Sequence, residues 1–215
     1  MITIKGWTSN SLFFLVSSTL YILIFALSST KEIPVKLSAE RNLQTIINPY
    51  KFSKSALDNR LDLLMEMEQH FDKKDEEYFK NLVNHEDLVI RTRAVCILAD
   101  ISGEKAIESI GHVLLNDSDQ LVRHEAAFSL GQLGFKSGIE ALSKAVLTDP
   151  SFFVRHEAAV ALGVIGSEEA RKTLEDALNN DDSDEVKESA MIALANLDYI
   201  SHVKRTNKFT TLTGG

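Results

Sequence analysis

The chain has 215 residues, of which 44% are apolar and 25% charged, a balance ordinary for a globular protein with a substantial core. Its net charge of −8 excludes a dominant basic face, and with it nucleic acid as the main partner, and favours a basic partner instead. The single cysteine, Cys96, excludes an intramolecular disulfide framework and a CxxC metal site; within AVCILADI it reads as a small buried apolar residue.

Residues 12–28, LFFLVSSTLYILIFALS, carry no charge, with Lys5 before them and Lys31 after. The run is short for a membrane-spanning helix and long for the apolar stretch of a signal peptide. Ala26-Leu27-Ser28 offers a cleavage site of the small-x-small kind. Lys31, Lys36 and Arg41 follow the run, against Lys5 alone before it, and positive charge on that side holds the next domain in the cytoplasm if the segment stays as an anchor. The expectation over residues 1–30 is therefore a signal peptide or a transmembrane anchor. The anchor leaves the domain facing the cytoplasm and the signal peptide leaves it secreted, while a mis-assigned start is a third reading. Residues 31–54, with Pro34 and Pro49, read as a linker.

Residues 55–70, SALDNRLDLLMEMEQH, read as a leading helix, and DKKDEEYFKNLV from Asp72 fits loosely the frame that follows. A period of 32 residues then governs the chain: Arg91, Arg123, Arg155 and Lys187 fall in register, as do Ala94, Ala126, Ala158 and Ala190, and Leu98, Leu130, Leu162 and Leu194. The intervening segments agree without gaps, GEKAIESIGHVL from Gly103, FKSGIEALSKAV from Phe135 and SEEARKTLEDAL from Ser167. Each unit reads as two helices. Ala106, Ile107, Ile110, Val113 and Leu114 form an apolar stripe at helical spacing, and Val122, Ala126, Leu130 and Leu133 form the next. Between them NDSD at Asn116–Asp119 suits a turn and a helix N-cap, while Gly134, Gly166 and Thr148–Pro150 punctuate ends. One such pair cannot bury its own apolar face, so the units must stack. The predicted fold over 55–200 is an all-α solenoid of about four two-helix repeats, followed by a flexible tail at 201–215.

Two units share a phrase, VRHEAAFSLGQLG at 122–134 and VRHEAAVALGVIG at 154–166. His124 and His156 occupy one position on equivalent helices, and stacked helices lie roughly 8–10 Å apart, so the two rings are able to converge on a point between them. Metal–imidazole bonds of about 2 Å would let one ion bridge them. Glu125 and Glu157 are rotated about 100° from their histidines, so a histidine and its own glutamate face different directions. Two histidines and a carboxylate form the ligand set of non-haem iron oxygenases. One chain supplies the histidines but struggles to add a glutamate to the same ion, whereas two chains facing each other supply it reciprocally. The alternative is packing, since V-R-x-x-A-A-x-x-L-G serves helix stacking and its x positions are often solvated. The first and last units carry Thr92-Arg93 and Glu188-Ser189 there, so the fold does not require His-Glu. His85-Glu86 falls in a turn, Asp181–Glu185 reads as the last inter-helix turn, and no nucleophile elbow, P-loop or dinucleotide fingerprint occurs.

These two phrases, followed by VKESAMIALANLDY at Val186–Tyr199, resemble deoxyhypusine hydroxylase, a family of HEAT-repeat solenoids whose two similar halves each carry two His-Glu pairs. The resemblance covers roughly residues 72–200, corresponding to one half. It implies a di-iron monooxygenase that hydroxylates the deoxyhypusine side chain of a translation factor, with two irons in the assembled site. His124 and His156 would be ligands with Glu125 and Glu157 as their partners, Glu125 bridging to the opposite half's iron and Glu157 steadying the substrate amine. No separate catalytic residue is implied. Two pairs stand where the family has four, which implies completion by a homodimer. A secreted chain would need another protein side chain as substrate. The reading from a different class is a non-catalytic HEAT scaffold holding a protein partner on its concave face.

Overall fold

Local chemistry starts and stops each helix. Asp87 and Asp119 stand at extended N-cap positions, where their carboxylates accept the backbone N–H of Val89 and Leu121. At the far end Gly134 and Gly166 close their helices with φ of +70° and +63°, a left-handed conformation glycine adopts without a Cβ penalty. A computed structural model describes residues 54–206, with side chains from Asn59 onward. The helices are α1 (Lys54–Asp72), α2 (Glu76–Leu82), α3 (Leu88–Ser102), α4 (Ile107–Asn116), α5 (Gln120–Leu133), α6 (Ile139–Thr148), α7 (Phe152–Ile165), α8 (Arg171–Asn180) and α9 (Asp184–Thr206). Short 3-10 turns at Gly103–Ala106, Lys136–Gly138 and Glu168–Ala170 lead into α4, α6 and α8.

The helices form two layers. α3, α5, α7 and α9 stack in order as one layer, and α4, α6 and α8 as the other, each unit's first helix lying against its second. α2 packs on α3 in the same way, and α1 also contacts α3. The core lies between the layers, where Ala94, Leu98, Ala126, Ala158, Leu162 and Ala190 are fully buried and Leu130 nearly so. Ile110, Leu114, Leu142 and Leu174 meet them from the other layer, also fully buried. Each large apolar side chain removed from water in this way contributes about 1.5–3 kcal/mol against the entropy of ordering the chain. This is the all-α solenoid expected from the period.

Two devices set the distance and register between units. Small residues let the α5–α7 and α7–α9 backbones approach: a Cβ on Gly131 would lie 2.8 Å from the Ala161 Cβ, and one on Gly163 would lie 2.8 Å from the Ala193 Cβ. Register is held by a ladder of ion pairs. Arg91, Arg123 and Arg155 each reach forward to Asp117, Asp149 and Asp181, with Nε–Oδ2 distances of 2.7 Å in all three. The second guanidinium nitrogen bonds the other carboxylate oxygen at 2.9–3.0 Å, making each pair bidentate. Arg60 to Asp87 at 2.6 Å extends the ladder into α1. Each of Asp117, Asp149 and Asp181 also accepts the N–H two residues on, so one side chain shapes the turn and anchors the neighbour's arginine.

Two expectations change. Among the described residues no helix is long and apolar enough to cross a membrane: α2 to α8 have at most 15 residues, and α1 and α9, with 19 and 23, are rich in charged residues. The expected cytoplasm-facing membrane anchor is corrected accordingly; the run at 12–28 on which it rested lies outside the described residues, as does the linker up to residue 53. The tail expected from 201 is helical as far as Thr206, since α9 continues past the last repeat.

Asp149→Ala leaves the buried Arg123 without its counter-charge and should cost about 3–5 kcal/mol in chemical denaturation. The control Asp182→Ala, which removes a 91% exposed partner of Arg155, should cost less than about 1 kcal/mol. Gly131→Ala should force α5 from α7 and cost about 1–3 kcal/mol, with Ala161→Gly in the same chain recovering part of the loss.

Candidate metal centre

The ladder arginines fix the rotation of α5 and α7, because residue 123 or 155 must face the next unit's turn. The two residues that follow are then aimed by helix geometry, about 100° apart. His124 faces forward: its Nε2 lies 3.2 Å from the Glu157 Oε2 on α7, and its ring stacks on Phe153 with centroids 3.9 Å apart and planes 8° off parallel. Glu125 faces backward, where its Oε1 accepts the Cys96 thiol of α3 at 2.8 Å. His156 repeats the forward direction toward α9, its Nδ1 2.6 Å from the Ser189 Oγ.

All four residues singled out in the sequence therefore sit on α5 and α7, but the pairing differs from a meeting of two histidines. Each histidine addresses the helix after its own and each glutamate the helix before, so the residues brought together are His124 and Glu157. Glu125 at one end meets Cys96, and His156 at the other meets Ser189. Among the described residues no three His, Cys, Asp or Glu side chains gather as a metal-binding group.

Burial is deeper than the sequence suggested for these positions. His124 and Glu125 are each 8% exposed, His124 covered by α7, which the small-residue contact brings close, and Glu125 lying against Cys96 of α3. Burial pushes the Glu125 carboxyl above its ordinary value and the charge of Glu157 adds to this, while the Cys96 thiol and His124 pull it down. Cys96 differs from the expected apolar residue. It is partly exposed and bonded to a carboxylate, and desolvation together with the Glu125 charge pushes its thiol well above the ordinary value. A cysteine in an otherwise aliphatic phrase gave no sign of that partner, which lies on the next unit. His85 stays in its turn, accepting the Asp87 N–H at 3.0 Å.

Removing the thiol donor favours the neutral carboxylic acid. In metal-free chain, Cys96→Ala should raise the Glu125 pKa further and Cys96→Ser should hold it near wild type, read by carboxyl-carbon NMR titration.

Residues 107–195 match the family profile of HEAT repeats. No curated protein matches the chain by sequence. Among solved structures, human deoxyhypusine hydroxylase in complex with glycerol is similar with a TM-score of 0.56 and 25% sequence identity, covering 70% of this chain and 51% of that one. The chain thus spans about half the length of the enzyme chain it matches. Repeat pattern and architecture together make this protein an α-solenoid, with HEAT repeats over residues 107–195, similar in structure to deoxyhypusine hydroxylase.

Proposed function

We propose that this chain is an iron-dependent protein hydroxylase, deoxyhypusine hydroxylase-like, whose site is completed by a second copy. The observation that carries the reading is the 3.2 Å approach of the His124 Nε2 to the Glu157 Oε2 across two helices. Metal bonds of about 2.1 Å place neighbouring donor atoms about 3.0–3.4 Å apart for inter-bond angles from octahedral to tetrahedral, so this pair fits one ion. The donors suit iron as well, being imidazole and carboxylate without thiolate. His124, Glu157, His156 and Glu125 would hold the metal. Iron held there would supply the redox chemistry that activates dioxygen for hydroxylation of a C–H bond.

The alternation of direction supports completion by a homodimer. Two His-Glu pairs in one chain make one complete His–Glu contact and leave two open ends, Glu125 and His156. A two-fold axis would offer the open histidine of each copy the open glutamate of the other. α7 carries exposed Val160 and Val164 and α9 exposed Ile192, apolar side chains suited to a protein contact. The carboxylates and the net charge of −8 suit a basic side chain as substrate, a modified lysine of a translation factor being the form that the similarity suggests.

Metal analysis and native mass measured together on the full chain, loaded anaerobically with ferrous iron, test this. The expected result is about two irons per dimer, lost in His124→Ala and His156→Ala. Thermal unfolding of both variants is the control, since His124 is buried. A metal-free monomer after loading would overturn the reading and leave a HEAT scaffold that binds a protein partner, in which case both histidine variants would retain that binding.

A further inference from the structure

The contact between α7 and α9 differs in kind from the one between α5 and α7. Where α7 offers Glu157 to the histidine before it, α9 offers Ser189, 5% exposed. A serine hydroxyl has one proton and two acceptor lone pairs. The Ser189 Oγ lies 2.7 Å from the backbone carbonyl of Glu185 one turn earlier, to which it donates, and 2.6 Å from the His156 Nδ1. With its only proton directed at the carbonyl, the hydroxyl meets the imidazole as an acceptor, and the proton of that second bond must sit on Nδ1. A neutral ring protonated on Nδ1 carries its lone pair on Nε2. Among the described residues the His156 ring makes no other hydrogen bond, so that lone pair is not committed elsewhere in them.

We propose that Ser189 is the positioning residue of His156, fixing the Nδ1–H tautomer so that Nε2 is the donor atom presented for a metal. The role as a metal donor rests on the iron-dependent reading above, whereas the tautomer does not. The chain Glu185 carbonyl, Ser189 hydroxyl, His156 imidazole has the form of the outer hydrogen bonds that orient metal-binding histidines. It also gives the last residue of VKES a task that packing alone does not. Glutamate at that position, as in Glu157, would compete with an ion for the ring or ligate it; a hydroxyl holds the ring from its other side and leaves Nε2 open.

Nitrogen NMR of the imidazole in the full-length, metal-free chain, with titration calorimetry of ferrous iron in an anaerobic chamber, tests the proposal. Wild type should show His156 as the Nδ1–H tautomer. Ser189→Ala should shift it toward Nε2–H and weaken iron binding by about 10–100-fold, while Ser189→Thr, which keeps the hydroxyl, should preserve both. A wild-type His156 protonated on Nε2, or a Ser189→Ala chain with unchanged tautomer and iron affinity, would overturn it. A wild-type chain with the Nδ1–H tautomer that binds no ferrous iron would overturn the metal reading while upholding Ser189 as the residue that sets the ring.

Discussion

Successive helices of the layer formed by α3, α5, α7 and α9 touch where one offers glycine and the next alanine, Gly131 against Ala161 and Gly163 against Ala193. The His124–Glu157 and His156–Ser189 contacts depend on that approach. With ordinary side chains at these positions the helices would stand further apart, since no Cβ fits where these glycines are. His124 and Glu157 would then no longer reach each other, and water would fill the seam that now holds His124 at 8% exposure. Low local dielectric strengthens interactions between groups in such a seam and raises the cost of leaving any unpaired.

The arginine ladder acts on the orthogonal degree of freedom. Small residues bring two helices together but leave them able to rotate and slide. A bidentate guanidinium–carboxylate pair restricts both, because planar groups bond in one relative orientation. Repetition of Arg91–Asp117, Arg123–Asp149 and Arg155–Asp181 with nearly equal distances gives each unit the same offset from the last. A residue next to the ladder arginine is then aimed identically in every unit, which is how a repeated dipeptide becomes a row of forward histidines and backward glutamates. Units without His-Glu use the same frame, with Cys96 and Ser189 receiving the ends of the row.

A solenoid built this way has a consequence for chemistry. Contacts between neighbours always join a forward-facing group of one unit to a backward-facing group of the next, so a run of identical dipeptides ends in one unmatched glutamate and one unmatched histidine. The match takes in 51% of the similar enzyme chain; in the geometry seen here, a longer array or a second copy would close the ends that a short array leaves open.

Much of this was legible in the sequence. The period, the two-helix unit, the capping aspartates, the terminating glycines and the buried Ala and Leu positions are local or strictly periodic properties, and periodicity in a solenoid translates directly into stacking. The positions of His124, Glu125, His156 and Glu157 on equivalent helices followed from the same register, as did the divergence of each histidine from its own glutamate. What the tertiary structure alone decided was which partner each side chain meets: Glu157 for His124, Cys96 for Glu125 and Ser189 for His156. Those pairings depend on the offset and rotation between helices about 30 residues apart, a quantity fixed by close backbone contact and the ladder rather than by the pattern along any single helix. Burial of the His-Glu row was hidden for the same reason, because a position that looks solvated on one amphipathic helix is covered only when its neighbour arrives.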